Sequence, residues 1–514
     1  MPPSLVHGRH VVVDNETVLT DAAVFQADGK IESVGAYADL KSRYPGAAEV
    51  GGRDCVVLPG LVNAHHHVGG VTAFQSGWRD DPLEIWLLNF FGARMADPYD
   101  LTLLSFIQLI RSGVTTVLHH HTATGERGYR PMVEAQLRAA QDSGIRCSFA
   151  MCVQDRHHYV YENDEAFLQS LPVELREEIL SHEMIDPQGS SGGSLPADEY
   201  FSLFESLFRQ HAGGGPDRLR LLLGPKGVEW CSDALLQRVR RTADALGTGV
   251  HTHVLESPYE KLFGLRTFGV PTVCHLREIG FLGPALSCAH CVWLTDREIE
   301  LFAETATTAV HNPSSNLRLA SGIAPVNRMR AAGGNVALGM DAFALNDDED
   351  FWQEMRLALR LHREPGLDTP RPSAGDVLQM ATSNGARAAL WGEDVGTLHR
   401  GQKADMVLLQ WPSVRGIYLA PETPILDAIL SRAKAAYVDT VLVDGEVLVA
   451  GGRYLRHDEA QLAERLAVQM SSPEDPQRVR LRAIRERLRP LVEAYYRGWT
   501  LDLPPGGYAY NARE

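Results

Sequence analysis

The middle of the chain, residues 59–393, repeats one pattern: a short apolar strand, a loop and a helical segment. The strand candidates end at LVNAHHH, GVTTVLHHH, IRCSFAMCV, RLRLLLGPK, GVHTHVLE, LSCAHC, TTAVHN and NVALGMD. Helical segments such as DLTLLSFIQLIRS, MVEAQLRAAQDS and DALLQRVRRTADAL lie between most of them. Alternating strands and helices predict a parallel sheet, and eight such units predict an α/β protein with a (β/α)8 TIM barrel.

The two ends of the chain have a different texture, with short alternating strands separated by Gly and Asp-Gly turns. This pattern predicts that residues 1–58 and 394–455 together form a small β-sandwich domain around the barrel. Residues 155–215 do not fit the repeat and are expected to form an insertion over the barrel mouth. Residues 456–514 are expected to form a helical extension that packs outside the barrel or on a neighbouring subunit, without a role in the chemistry.

Composition excludes several classes of function. The net charge of −16 in 514 residues argues against nucleic acid as a partner, because phosphate binding needs clustered cations. We find no apolar run long enough for a membrane span and no N-terminal secretion signal. The seven cysteines are few for a chain of this length and odd in number, which favours a reducing cytoplasm. These features predict a cytoplasmic protein that acts on a small molecule.

Histidines and one aspartate stand where the predicted strands end. His65 and His67 follow the first strand, His253 the fifth, His290 the sixth and Asp341 the eighth. Alternate residues of a strand point to the same side, so His65 and His67 converge while the histidine between them points away. Imidazole nitrogens with a carboxylate suit zinc or ferrous iron, and a position left for water is typical of a catalytic site.

The order of these motifs resembles the amidohydrolase superfamily, in the branch of cytosine, guanine and adenosylhomocysteine deaminases and triazine deaminases and chlorohydrolases. The matching pieces are PGLVNAHHH, HTHVLE, AHCVWLTDREIELFAE, HNPSSNLRLASGIAPV, LGMDAFALNDDED and the later VGTLHRGQKADMVLL. The resemblance covers nearly the whole chain. Several motifs in the same order are far more specific than a single H-x-H.

The resemblance implies a role for each strand-end residue. His65, His67, His253 and Asp341 would hold one divalent metal ion, with Zn²⁺ expected first and Fe²⁺ as the alternative. Asp341 would also accept a proton from the attacking water. His290 would orient that water and stabilise the developing oxyanion. Glu256 would carry a proton to the ring nitrogen or the leaving group.

Lys226 departs from the pattern of that branch. Many of its deaminases read P-H-A-P-Y-x-C-S after the fourth strand, whereas this chain reads PKGVEWCS. A carbamylated Lys226 with His290 as a ligand would give a two-metal site, although H-x-x-E and SSNLRLASG favour the one-metal branch. In a one-metal site, Lys226 would meet an anionic or carbonyl part of the substrate or would simply be an exposed strand-end residue.

Other residues are weaker candidates for substrate contact. His120 ends the second strand, Trp86 lies in an apolar stripe that is also typical of a core, and Asn346 lies in the acidic loop after Asp341. A packing or surface role is favoured for four further histidines, which are His66, His251, His275 and His311.

The expected function is hydrolytic deamination of an amino-substituted nitrogen heterocycle such as a purine, pyrimidine, pterin or triazine, with release of ammonia. Hydrolysis of a urea, carbamate or amide, or displacement of a halide, would use the same residues and remains an alternative. A barrel that serves only as a scaffold is a third possibility, but it would be expected to lose the ligands that are present here. The resemblance also implies a homodimer or larger homo-oligomer.

Overall fold

The computed structural model describes residues 2–122, 128–182, 195–211, 218–342 and 344–499. Its strands are β1 (Ser4–Val12), β2 (Val18–Ala27), β3 (Lys30–Ala36), β4 (Ala48–Pro59), β5 (Leu61–His66), β6 (Val114–His120), β7 (Arg146–Val153), β8 (Leu219–Pro225), β9 (Val250–Val254), β10 (Leu286–His290), β11 (Thr308–His311), β12 (Val336–Leu338), β13 (Met406–Gln410), β14 (Val438–Val443), β15 (Glu446–Ala450) and β16 (Arg453–Tyr454).

The helices of the same residues are α1 (Tyr37–Arg43), α2 (Leu83–Trp86), α3 (Pro98–Arg111), α4 (Tyr129–Ser143), α5 (Asp164–Ser170), α6 (Val173–Ser181), α7 (Ala197–His211), α8 (Asp233–Leu246), α9 (Pro258–Phe268), α10 (Thr272–Glu278), α11 (Asp296–Thr305), α12 (Pro313–Arg318), α13 (Val326–Ala331), α14 (Phe351–Leu361), α15 (Ala374–Met380), α16 (Ser383–Ala388), α17 (Trp411–Arg415), α18 (Ile425–Arg432), α19 (Glu459–Ser471) and α20 (Pro476–Arg497). Two 3₁₀ turns cover Leu87–Phe90 and Ala435–Tyr437.

The predicted (β/α)8 barrel is confirmed. Strands β5 to β12 form one sheet in sequence order, and the neighbouring strands that are paired run parallel. The backbone N–H groups of Met340 and Asp341 donate to the carbonyl of His65 at 3.0 and 2.9 Å, which joins the last strand to the first. The carboxyl ends of all eight strands therefore face one mouth, where active sites of this fold lie.

An apolar plug closes the interior of the barrel at the opposite end from the mouth. Trp391 is fully buried and packs with inward-facing side chains of four strands, which are Val62, Leu118, Ala150 and Leu222. Since side chains alternate along a strand, His120 and Lys226 lie on the same inward side further toward the mouth.

The small domain expected from the two chain ends is also present. Strands β1 to β4 and β13 to β16 are hydrogen-bonded in one mixed sheet. The predicted hairpin turns at Asp28-Gly29, where both residues have positive φ angles of 50° and 78°, as a type I′ turn requires. One face of the sheet closes an apolar core of its own, in which Val6, Val57 and Leu408 pack together.

A buried ion pair joins this domain to the barrel. Arg146, the first residue of β7, donates to Asp405 at 3.0 and 3.1 Å and to Asp444 at 2.6 Å. The Arg146 side chain is 0% exposed. The contact fixes the small domain against the end of the barrel that is remote from the mouth.

The mouth is covered by loops and by the end of the chain. The predicted insertion contains α5, α6 and α7, while its residues 183–194 and 212–217 lie outside the described ranges. Helices α5 and α6 pack with α20 in an apolar group that we call the mouth cluster: Ile85, Leu88, Tyr159, Val160, Tyr161, Phe167, Leu171, Leu175, Ile179, Trp230, Phe263, Ile484, Leu488, Val492 and Tyr496.

Helix α20 of the C-terminal extension packs outside the barrel strands, with its buried face on loops of its own chain at the mouth, because those loops offer the apolar partners that the face needs. Packing of the extension on a neighbouring subunit stays a prediction. Residues 500–514 of the extension lie outside the described ranges. Among the residues that the structure describes, no helix has the length and apolar character needed to cross a membrane.

Candidate functional site

Three histidines from two strands converge inside the mouth. The Nε2 atoms of His67 and His253 lie 3.1 Å apart, and one ring nitrogen from each of His65, His67 and His253 lies within 4.8 Å of the others. His66 points the opposite way, where its ring contacts His119 and Ser105 at 3.2 and 3.1 Å. The period of two along the strand produces this division, as the sequence indicates.

Asp341 completes the group from the last strand. Its Oδ1 atom lies 3.4 Å from Nε2 of His65 and 3.4 Å from Nε2 of His67. Ser315 donates to its other oxygen at 2.5 Å. Asp341 has a φ angle of 61°, a left-handed conformation that a non-glycine residue adopts at some cost and that is common at functional sites.

The donor set fits a divalent metal ion. The Nδ1–H groups of His67 and His253 donate to the carbonyls of His120 and Lys226 at 2.8 and 2.5 Å, which leaves both Nε2 lone pairs facing the centre. In the described part of the chain, the buried Nε2 of His65 has no hydrogen-bond partner. Imidazole nitrogens with one carboxylate oxygen are a donor set that zinc and ferrous iron accept.

Burial keeps these imidazoles in the form that binds a metal. Desolvation lowers the pKa of His67 to about 3, and it lowers the pKa of His253 well below the ordinary value of histidine. Both rings are therefore neutral at pH 7, with a lone pair available.

His251 supports the first of these ligands. Its Nε2 lies 2.8 Å from Nδ1 of His65, and its Nδ1 lies 2.7 Å from the hydroxyl of Ser287. A packing or surface role was favoured for His251. The residue lies outside the converging group, but it contacts His65, which is a member of that group, and so does more than pack. The H-x-H spacing in β9 indicates this position of His251, because it puts His251 and His253 on the same face of the strand.

Glu256 and His290 lie together beside the metal candidates. Oε2 of Glu256 is 3.4 Å from Nε2 of His290, whose Nδ1–H donates to Asn316 at 2.9 Å. Burial, and then the charge of Asp341, raise the pKa of Glu256 well above the ordinary value of a glutamate. Glu256 can therefore carry a proton at neutral pH and release it to a base within reach.

Two helix residues near the site were not singled out from the sequence. Ser315 and Asn316 lie in the first turn of α12, where Ser315 contacts Asp341 and Asn316 contacts His290. They lie within the quoted motif HNPSSNLRLASGIAPV, but the sequence does not say which of its polar residues point inward.

More carboxyl groups lie buried next to Glu256. Glu84, Glu229 and Glu260 are almost fully buried, and burial raises the pKa of each one. One oxygen of Glu84 accepts from Tyr161 at 3.1 Å and also from Ser257. Sequence reasoning missed this group, because single glutamates in separate loops form no motif.

The residues predicted to contact substrate fall into two sets. His120 and Lys226 lie near the converging histidines: the His120 ring is 4.8 Å from the His253 ring, and Lys226 supplies the carbonyl that His253 contacts. Both ring nitrogens of His120 are buried with no partner in the described ranges. The Lys226 ammonium lies 4.4 Å from the centre of the Trp230 ring.

Trp86 and Asn346 lie further from the centre. Trp86 is buried and makes edge contacts with Trp78 and Phe90, with ring centres 5.2 and 5.4 Å apart. Asn346 is exposed in the turn that follows Asp341.

Known proteins resemble this chain along most of its length. Residues 56–448 match the model of the amidohydrolase family. The 5′-deoxyadenosine deaminase of Methanosarcina mazei is 32% identical over 469 residues, covering 88% of this chain and 96% of the relative. The 5-methylthioadenosine/S-adenosylhomocysteine deaminase of Caldanaerobacter subterraneus subsp. tengcongensis is 31% identical over 403 residues, covering 77% and 82%.

A solved structure shares the fold. The crystal structure of an adenosine deaminase from Xanthomonas campestris, with bound zinc, superposes with a TM-score of 0.75 at 26% identity and covers 94% of this chain and 100% of that one. The order of the motifs, the barrel fold and the matched length of the chain all point to the same family. This chain belongs to the amidohydrolase family.

Proposed function

We propose that this protein deaminates an amino-substituted nitrogen heterocycle by hydrolysis, with a purine nucleoside derivative as the first substrate to test. As a family member it is a hydrolase of carbon–nitrogen bonds. The observation that carries the proposal is the meeting of His65, His67, His253 and Asp341 with a buried proton carrier, Glu256, at one mouth. The names of the two relatives support an adenosine-like substrate.

We propose that His65, His67, His253 and Asp341 hold one divalent cation, zinc in the first instance and ferrous iron as the alternative. Such an ion supplies a water acidic enough to attack at neutral pH. A two-metal site with a carbamylated Lys226 is the competing arrangement. Two equivalents of metal bound to purified protein, lost on Lys226→Met, would favour that arrangement over ours.

The residues around the cation have distinct proton roles in this proposal. Asp341 takes a proton from the attacking water, while the Ser315 hydroxyl keeps its carboxylate oriented. Nε2 of His290 accepts a hydrogen bond from the attacking water and orients it, because the Nδ1–H donates to Asn316 and leaves the Nε2 lone pair facing the centre. Glu256 protonates the ring nitrogen next to the reacting carbon. A carbon–oxygen bond forms, the carbon–nitrogen bond breaks, and the amine leaves as ammonia after receiving a proton.

We further propose that Lys226 and His120 contact the substrate ring. Both reach the inner mouth and have polar atoms there: the Lys226 ammonium contacts the face of the Trp230 ring, and both His120 nitrogens lack partners in the described ranges. Trp86 is proposed as a wall and Asn346 as a contact at the rim.

The test is a substrate screen with metal-loaded protein. The panel contains 5′-deoxyadenosine, 5′-methylthioadenosine, adenosine, guanine, cytosine, pterins and aminotriazines, together with ureas, carbamates and chlorotriazines for the alternative reactions. We expect ammonia release and a mass increase of about 1 Da for an amino-heterocycle. Turnover of only a urea, carbamate or chlorinated compound would replace deamination by the corresponding alternative. No turnover at all, with metal bound, would contradict the proposal.

Glu256→Gln is the matched variant for the mechanism. It keeps the size of the side chain and removes the transferable proton, so we expect kcat to fall about 10²- to 10⁴-fold with metal content unchanged. Asp341→Ala should lose metal as well as turnover. Full activity in Glu256→Gln would show that another group moves the proton.

We also propose that the protein works in the cytoplasm as a homodimer or larger homo-oligomer. All seven cysteines are free, which suits a reducing compartment. Sedimentation equilibrium at micromolar concentration tests the second part, and a single species with the mass of one chain would contradict it.

A further inference from the structure

The C-terminal helix α20 buries one face on the loops of the barrel mouth. Ile484, Leu488, Val492 and Tyr496 are buried and recur every four residues, which places them on one side of the helix. Their partners come from loops that follow four different strands: β5, β7, β8 and β9. The helix therefore binds together the segments that surround the site.

Tyr496 is the residue of this face that comes closest to the proton-carrier segment. It is 4% exposed, and its hydroxyl oxygen accepts from the backbone N–H of Tyr161 at 3.1 Å. Its ring lies 4.8 Å from the ring of Tyr259. Tyr259 follows Glu256 by three residues, in the first turn of α9.

A chain of hydrogen bonds leads from Tyr161 to the backbone beside Glu256. The Tyr161 hydroxyl donates to Glu84 at 3.1 Å, and the Ser257 hydroxyl donates to the same carboxylate oxygen. Ser257 also accepts from the N–H of Glu260 at 3.3 Å, as the N-cap of α9. The Glu260 carboxylate in turn accepts from the N–H of Glu256 at 2.9 Å.

Glu256 needs such support because the turn before it is strained. Leu255 has a φ angle of 53°, which a leucine adopts only when its surroundings impose it. The contacts around Ser257 and Glu260 hold the backbone after that turn. The apolar contact between Tyr496 and Tyr259 holds the next turn of α9.

We propose that α20 contributes to catalysis and that its Tyr496 is a positioning residue for Glu256. Tyr496 acts through Tyr259 directly and through Tyr161, Glu84 and Ser257 by hydrogen bonds. The inference rests on the proposed role of Glu256 in deamination. It assigns the C-terminal extension a part in catalysis that its sequence does not indicate.

Tyr496→Phe tests the proposal, because it keeps the ring and removes the hydroxyl that accepts from Tyr161. Small displacements of a catalytic group are costly, so we expect kcat to fall about 10-fold. Metal content should stay unchanged, and the solvent deuterium isotope effect on kcat should rise as proton transfer becomes slower. Amide exchange in residues 255–261 should become faster.

Tyr454→Phe is the matched control. Tyr454 is also buried, and its hydroxyl donates to the carbonyl of Ser143 at 2.7 Å, far from the mouth. We expect this variant to lose stability only, with kcat and the isotope effect as in the wild type. An unchanged isotope effect in Tyr496→Phe, or a change only in KM, would overturn the proposal.

Two further outcomes separate this proposal from the proposed function. If the wild type releases no ammonia from any heterocycle, the proposed function fails, and amide exchange of residues 255–261 still decides whether Tyr496 anchors this segment. Exchange that is identical in wild type and Tyr496→Phe would overturn the anchoring. A chain that ends at Ser472 removes α20 entirely and should lose the protection of the same residues.

Discussion

The bond between His251 and His65 gives a quantitative prediction about metal affinity. His251→Asn retains a polar group where Nδ1 contacts Ser287, but it removes the Nε2 atom that lies 2.8 Å from Nδ1 of His65. His251→Gln instead places an amide near the missing Nε2. The two variants therefore differ chiefly in whether His65 keeps its partner.

The size of the effect follows from the position of this bond. His65 is fully buried, so water does not replace a lost partner, and its ring loses the contact that fixes its orientation. Removal of such an outer partner lowers metal affinity about 10- to 100-fold. That loss corresponds to about 1.4–2.7 kcal/mol of binding free energy.

Chelator competition measures the affinity directly. We expect His251→Asn to release zinc at a chelator concentration about 10- to 100-fold lower than the wild type, with His251→Gln in between. The melting temperature of the metal-free proteins serves as the control for folding. Wild-type affinity in His251→Asn, in a protein that is folded without metal, would refute the assignment of His65 as a ligand held by His251.

Of three further predictions, two concern the ion pair that joins the two domains and one concerns substrate binding. Arg146→Met removes the buried cation that contacts both Asp405 and Asp444, and only Asp444 keeps a second arginine, Arg218, so the free energy of unfolding in urea should fall by about 3–5 kcal/mol, whereas a loss under 1 kcal/mol would contradict the role of the pair. Burial alone would raise the pKa of Asp444, but Arg146 and Arg218 hold it below its ordinary value. The stabilisation by Asp444 is thus complete above about pH 4 and is lost as pH falls through the lowered pKa, so acid titration of Arg146→Met should show a smaller loss, because Arg218 still contacts Asp444. Lys226→Met should raise KM about 10-fold and leave kcat and a metal content of one equivalent nearly unchanged, whereas an unchanged KM would exclude the proposed contact.

The fold was largely predictable because its signals are local. Each strand of the barrel is a short apolar run that a helical segment follows, and the predicted segment DALLQRVRRTADAL corresponds to α8 residue for residue. The period of two also predicts that His65 and His67 face inward and His66 outward. The small domain was harder to describe, because its strands join over more than 300 residues, as in the pairing of Val57 with Leu408.

The parts of the site that were missed depend on contacts between distant segments. Nothing within the loop of Tyr161 indicates that its N–H meets a hydroxyl 335 residues later. The buried glutamates likewise come from separate segments of the chain, so no single motif indicates that they are buried together. Short motifs in the sequence identify the candidate metal ligands. The placement of Glu256, in contrast, depends on contacts between segments that are distant in the chain. A variant at Tyr496 can therefore change catalysis without touching any residue of those motifs.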